Sequence, residues 1–313
     1  MELVSYDMPW KPQVIMPVGD IQWFGDKNEV ALEKLRAHIA WGVERDAWFI
    51  GMGDYVDAFS PSNRQRLRAA GLYDNAERII DDAARRLVDD IYDVLKPSKG
   101  RWLGMLAGHH FAELRNGTTS DQLLCEKLAS PFLGDCAYVR LRFQKAEGGS
   151  NRIGTVTIWA HHGQGSGQSI TAPVQKLEKL PASWDADLFL MGHHSKVVAA
   201  PLDRCYAAWP HADGKSSPAL YYRTVLLVGT GSFMKGYVEG RKEGEVPRGT
   251  YVEKGMMRPV SLGAPVITVT PRYKKVLANY GNPGMQPNGY KKGRPRRCTR
   301  RTDVWLPDLR VSL

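Results

Sequence analysis

Six of the eight histidines in this chain fall into three adjacent pairs, His109-His110, His161-His162 and His193-His194, and each pair follows an apolar run. Two aspartates sit the same way. Asp20 follows Gln13–Val18, and Asp54 follows Trp48–Met52 in the stretch Gly53-Asp54-Tyr55-Val56-Asp57. A lone histidine after a strand is usually a satisfied structural residue. Three pairs in that position, with two carboxylates, are hard to explain that way. Imidazole and carboxylate gathered at the mouth of one sheet are the donors of a di-metal hydrolytic centre, with one carboxylate shared between ions.

The elements that must carry these residues are legible from periodicity. Gln13–Val18 reads as a core strand ending in Gly19-Asp20-Ile21-Gln22. Asp26 is a candidate N-cap for a helix whose buried face is Val30, Leu32, Leu35, Ile39 and Val43. Trp48–Met52 is the second strand, so the chain begins β-α-β with a parallel pair, and ligand sites of open α/β sheets lie at the carboxyl ends of such strands. Asp74–Leu95 keeps helical spacing, its charges forming a wet face, and closes at Pro97. Trp102–Ala107, Tyr138–Phe143, Ile153–Ala160, Asp187–Met191, Tyr221–Val228 and Pro265–Val269 read as further strands. Past Pro271 the chain is rich in Gly, Pro and basic residues and is expected to run as an extended tail, with Trp305, Leu306 and Leu309 folding its end back.

Taken in order, these motifs resemble those of the calcineurin-like metallophosphoesterases. The family pattern Asp-x-His, Gly-Asp-x-x-Asp, Gly-Asn-His-(Asp/Glu), His-Gly and Gly-His-x-His is met by Asp20-Ile21-Gln22, Gly53–Asp57, Gly108-His109-His110, His162-Gly163 and Gly192–Ser195. Gly229–Phe233 resembles the Gly-Ser that follows the last motif, so the likeness spans residues 13 to 233. The resemblance implies an α/β fold, a two-sheet β-sandwich flanked by helices, over a domain 1–270 followed by a basic tail 271–313. It implies that Asp54 bridges two divalent metals, one of them also held by His109, His162 and His193, the other by Asp20 with Gln22. It casts His110 as the group that protonates the leaving oxygen or steadies the phosphate, with Asp57 orienting it. The implied reaction is in-line attack of a metal-bound hydroxide on phosphorus.

The departures concern the metals. Gln22 and Ser195 stand where the family has histidines of one ion, and His109 stands where it has Asn. One site is then expected to be oxygen-only and weak, suited to Mn²⁺ or Mg²⁺. The other is imidazole-rich, suited to Mn²⁺, Fe²⁺ or Zn²⁺, and Mn²⁺ is the ion expected overall. His161 reads as a substrate or supporting contact, and His194 as facing away from the metals. Asp203, His211 and Asp213 read as surface loop residues. The turn Gly163–Gly167 reads as a phosphate-facing nest or a rim loop.

Composition narrows the setting. No apolar run approaches the roughly 20 residues of a membrane helix, and the start of the chain lacks a signal-peptide layout. Four cysteines, Cys125, Cys136, Cys205 and Cys298, form no Cys-x-x-Cys pair, which fits a reducing cytoplasm. Ten of the 43 basic residues fall between Arg272 and Arg301 without one acid, and the other 33 are balanced by the chain's 33 acidic residues. The densest block is Lys291, Lys292, Arg294, Arg296, Arg297, Arg300 and Arg301, a candidate contact for nucleic-acid phosphates, with Tyr273, Tyr280 and Tyr290 available to stack. Three readings follow: a phosphodiesterase or nuclease on nucleic acid, a phosphatase or pyrophosphatase on small phosphoesters, and a nucleic-acid-binding protein on a catalytically degenerate fold.

Overall fold

The computed structural model describes residues 1–147, 150–165, 167, 169, 171–208, 219–277, 301–305 and 307–312. The chain begins with β1 (Glu2–Pro9), β2 (Gln13–Val18), α1 (Leu32–Glu44), β3 (Trp48–Gly51), α2 (Pro61–Ala70) and α3 (Asp74–Leu95). It continues with β4 (Trp102–Met105), α4 (Ser120–Leu128), β5 (Cys136–Glu147), β6 (Ser150–His161) and α5 (Ala172–Leu177). Then come β7 (Leu188–Met191), β8 (Val197–Ala208), β9 (Ala219–Thr230), β10 (Lys242–Glu243), β11 (Val246–Pro247) and α6 (Tyr251–Lys254). Last are β12 (Val266–Thr270), β13 (Tyr273–Leu277), β14 (Arg301–Trp305) and β15 (Asp308–Ser312).

Two large sheets result. One is ordered β1-β5-β6-β7-β9-β8, the other β15-β12-β2-β3-β4. Alternation along the strands explains why they stack. Ile15 and Ile50 point to one face and Met16 and Phe49 to the other, as a period of two requires. Ile15, Ile50, Leu103 and Ile267 from the five-stranded sheet meet Leu141, Phe143, Ile158 and Leu190 from the six-stranded one. Each is fully buried, which favours folding by about 1.5–3 kcal/mol per side chain. The outer face of the five-stranded sheet takes α1, α3 and α4 through Leu35, Ile39, Val88, Ile91 and Leu124. The outer face of the six-stranded sheet takes Leu177 of α5 against Phe189 and Leu227. The molecule is thus a mixed α/β protein, two packed sheets covered by helices.

β2, β3 and β4 run parallel in one sheet, and β6, β7 and β9 run parallel in the other. Every motif noted above follows one of these strands. Among the described residues no helix is long and apolar enough to cross a membrane.

Three expectations are corrected. α1 begins at Leu32 with Ala31 at its N-cap, not at Asp26, whose carboxylate instead accepts from Asn28 N–H at 2.8 Å. The reason is tertiary: Val30 bridges to Met234 and Ala31 N–H donates to Phe233 carbonyl, which holds this segment off the helix. Asp203 lies within β8 and accepts from Thr224 Oγ1 at 2.6 Å, so it is no loop residue. The segment after Pro271 is not one extended tail. β13 and β14 pair antiparallel, and β15 returns to pair with β12, in line with the fold-back read from Leu309. Of the basic block, Lys291, Lys292, Arg294, Arg296, Arg297 and Arg300 lie outside the described residues, as do Leu306, Tyr280, Tyr290, His211, Asp213 and Cys298. Arg301 opens β14.

Candidate metal centre

The centre is built from strand ends locked by backbone hydrogen bonds. Asp20 N–H donates to Gly53 carbonyl at 3.0 Å and Gln22 N–H to Asp54 carbonyl at 2.9 Å, extending the β2–β3 pairing past the strands. From the far side, Ser232 Oγ donates to Asp20 carbonyl at 2.8 Å and Phe233 N–H to the same oxygen at 3.1 Å. Five of the eight non-glycine residues with positive φ among the described residues are here: Asp20, Gln22, Asp54, His193 and Ser195. Left-handed backbone at such residues costs on the order of 1–3 kcal/mol each and clusters at functional sites. Gly108 is required by contact, since a Cβ there would lie 2.2 Å from Asp54 Oδ1.

Two groups of ligand-type atoms converge. Asp20, Asp54 and His162 form one, all buried; His109, His162 and His193 form the other, with His162 common to both and the outer two histidines half-exposed. In each group the donor atoms lie within 4.8 Å of one another. His162 Nδ1 meets Met52 carbonyl at 2.6 Å, so its N–H is spent there and the Nε2 lone pair faces Asp54 Oδ2 at 3.4 Å. Asp20 Oδ1, Asp54 Oδ2 and His162 Nε2 are buried without a hydrogen-bond partner. Three lone pairs aimed into one dry space are costly unless a cation lies between them. That is the donor set a divalent ion takes, and the residues fit one.

The remaining oxygens are committed elsewhere. Asp54 Oδ1 accepts from the N–H groups of His109 and His110, and Asp20 Oδ2 accepts from His193 N–H at 2.8 Å. Burial pushes Asp20 up to about 7, with His162 pulling it back and Asp54 adding to the rise. Burial also works to raise Asp54, but the hydrogen bond and charge of His162 and the charge of His110 outweigh it and hold the carboxyl below its usual range. Burial alone would lower His162, yet Asp54 and Asp20 draw it up to about 9. In effect a proton on His162 answers the same demand an ion would. Burial and neighbouring imidazoles lower His109, to about 4, and His193. Both stay neutral and able to ligate.

His110 lies apart from both groups. Its Nδ1 is 2.8 Å from Asp57 Oδ1. Burial would lower it, but the hydrogen bond to Asp57 and the charges of Asp54 and Asp57 raise it above the ordinary value. Gln22 is placed at the centre by its backbone bond to Asp54.

One placement differs from expectation. The Asp20–Asp54 group is not oxygen-only, because His162 belongs to it as well. His161 is placed as a supporting contact: its Nδ1 accepts from the N–H of Gly163, the neighbour of His162, at 2.7 Å, and its ring stacks on Trp159. Among its described residues the turn Gly163–Gly167 meets the centre through a carbonyl: Gly165 carbonyl is 2.9 Å from His193 Nε2, and His193 Nδ1 is 3.3 Å from His109 Nδ1. His194 is buried beneath Gly167 with its Nε2 unpartnered.

Two residues at the site carried no motif. Asp121, on the first turn of α4, accepts from Gly108 N–H at 2.8 Å. Arg64, on α2, donates through Nη1 to the carbonyls of Phe59, His109 and Phe111 and stacks over the Phe111 ring at 3.8 Å. Together with Asp54 they fix the backbone of the His109–His110 turn from three sides. The capping box Thr119-x-x-Gln122 announces α4, and with it Asp121; nothing in the sequence singles out Arg64.

No protein-family model matches the chain, and no curated protein matches it.

Proposed function

We propose that the protein is a metal-dependent phosphoesterase with the calcineurin-like metallophosphoesterase fold, acting as a phosphodiesterase or nuclease. One observation carries the reading: the buried, unpartnered Asp20 Oδ1, Asp54 Oδ2 and His162 Nε2 converge at the strand ends, with the His110–Asp57 pair bonded to each other at 2.8 Å. Asp20, Asp54 and His162 would hold one divalent ion, and His109, His162 and His193 a second. Bound there, the ions supply Lewis-acid activation of water and neutralise charge on a phosphoester. The mixed oxygen and imidazole donors suit Mn²⁺, with Fe²⁺ or Zn²⁺ at the histidine-rich side.

The chain's own groups do the rest. Asp57 fixes the His110 ring through Nδ1 and favours its protonated form, so that a protonated His110 would donate to a leaving alkoxide. The left-handed strand ends place Asp20 and Asp54 before any substrate arrives, so no reorganisation is needed at the moment of reaction. The basic block Lys291–Arg301 supports nucleic acid as the substrate, through contacts to the phosphate backbone.

The test is metal content together with turnover. Protein prepared without chelator should carry a transition metal and, with added Mn²⁺, hydrolyse an aryl phosphodiester. Asp54→Ala should lower kcat/KM at least about 10³-fold, roughly 4 kcal/mol of transition-state stabilisation. Wild type and Asp54→Ala equally inert on diesters, monoesters and nucleic acid with every metal tried would sink the enzyme reading. It would leave the degenerate binding protein, which Gln22 and Ser195, standing where histidines are expected, already favour as the second reading.

A further inference from the structure

We propose that Arg64 is a positioning residue for the metal centre, acting on Asp54 through the His109–His110 peptide. The inference rests on the reading of Asp54 as a metal ligand. It adds a residue outside both ligand groups that decides how tightly an ion is held.

One peptide unit joins the two side chains. Its carbonyl, that of His109, accepts from Arg64 Nη1 at 2.7 Å, and its N–H, that of His110, donates to Asp54 Oδ1 at 3.1 Å. The unit is trans, so its C=O and N–H point in opposite directions from one rigid plane. Arg64 and Asp54 therefore hold opposite ends of the same plate. A rotation that freed the carbonyl would also carry the N–H away from Oδ1. A cation on the carbonyl further polarises the unit and strengthens the N–H as a donor. With Oδ1 held in this way, Asp54 Oδ2 is left buried and without a hydrogen bond, 3.4 Å from His162 Nε2.

Arg64 is tied to this place at several points. Its Nη1 also meets the carbonyls of Phe59 at 2.7 Å and Phe111 at 3.1 Å, and the guanidinium lies 3.8 Å over the Phe111 ring. Between these, His110 carbonyl accepts from Ala58 and Phe59 N–H at 3.0 and 3.3 Å, so every carbonyl from His109 to Phe111 is bonded to residues 58–64. The Phe111 unit ends in Ala112 N–H, which donates to Ser120 Oγ at 3.1 Å on α4. Three carbonyl oxygens thus converge on one cation. With an apolar side chain in its place they would lose their donor, and the peptides would turn to find another. The helix that brings Arg64 forms from its own ends, Ser60 Oγ accepting from Asn63 N–H and Gly71 closing it in left-handed backbone. None of its described side chains is fully buried, so α2 serves to deliver Arg64 more than to fill a core.

Plain charge predicts the opposite outcome, which makes the inference testable by sign. Deleting a cation beside a cation site strengthens cation binding; losing the plate's anchor weakens it. The experiment titrates Mn²⁺ into metal-free wild type, Arg64→Met, Arg64→Lys and Arg66→Met by calorimetry. The Kd for Mn²⁺ should rise about tenfold in Arg64→Met, the scale set by residues that orient a ligand. Arg64→Lys keeps a cation with three N–H donors and should recover part of that loss. Arg66→Met, changed at an exposed position of the same helix, should bind at least as tightly as wild type. Equal or tighter binding in Arg64→Met overturns the inference, and so does equal weakening in Arg66→Met, which would make the effect one of the helix. Should Arg64→Met fail to fold, Arg64→Gln takes its place with the same two outcomes. Wild type that binds none of Mn²⁺, Fe²⁺ and Zn²⁺ would remove the metal centre, and the inference with it; wild type that binds while Arg64→Met binds equally well removes the inference alone.

Discussion

The two halves of the centre are built differently. Asp20, Asp54 and His162 hang from strand ends, are 0–2% exposed, and keep lone pairs that water cannot reach. His109, His110 and His193 lie on turns beyond the strands, half-exposed, with positions set by backbone hydrogen bonds from other elements. The inner group lacks a counter-charge whenever it is without a cation or proton, so an ion held there would add to the stability of the fold. The outer group can be hydrated when empty, so an ion held there would add little to the fold. The difference teaches that burial, more than the count of imidazoles, would decide which ion stabilises the fold.

The comparison breaks most openly under chelation. Removing metal should lower the wild-type thermal midpoint by about 5–10 °C, the loss expected when a ligand held far above its Kd is stripped away. Asp20→Asn should abolish most of that response in a differential scanning experiment, whereas His193→Asn should keep at least half of it. A His193 variant that behaves like the Asp20 variant would mean the halves are not distinct.

The next effect falls on the outer half alone. Asp57→Asn leaves the ligands in place but removes a charge that favours the protonated form of His110. Its kcat should drop about 10- to 100-fold, with metal content by elemental analysis unchanged. Loss of metal in this variant would place Asp57 in the inner half's business instead.

The smallest effect concerns a histidine in neither half. His38 lies on α1 against Phe233, its Nε2 unpartnered, and burial pushes it down to about 4 from 6.5. The unfolded chain therefore binds the extra proton first as pH falls. The stability from a neutral His38 is fully present above about 6.5 and is lost progressively toward pH 4, at most about 3 kcal/mol. Urea midpoints measured from pH 7 to pH 4 should fall less steeply in His38→Met than in wild type, and identical slopes would remove His38 from the account.

How much of this could be read beforehand follows from what local sequence encodes. The strand ends that carry Asp20, Asp54, His109, His162 and His193 stood out because apolar runs stop there at glycines. Asp57 was legible as the partner of His110 only through the resemblance carried by Gly53–Asp57 and Gly108–His110. β8 was not, because Pro201 interrupts it; the sheet tolerates that proline because β8 is an edge strand with one side free of partners. α2 has no apolar face to detect, only Arg64, Arg66 and Arg68 among polar residues, and it is held in place through Arg64. The membership of His162 in both groups depends on how far apart two sheets pack, a distance that no stretch of either sheet contains. Asp26 was misread for the same reason: a good cap lost to a strand bridge formed with residues two hundred positions away.

The order β15-β12-β2-β3-β4 carries a consequence for how the molecule is made. Residues 13–15 of the strand bearing Asp20 pair with 267–269, and 266–270 pair in turn with 308–312. During synthesis the early β-α-β unit can form beside the ribosome, but one flank of β2 stays unpaired until residues 267–269 have emerged. Contacts so distant in sequence make for slow closure and a long-lived exposed strand edge. The nascent chain should therefore depend on chaperones, and any metal should be acquired only after residues 266–270 have emerged.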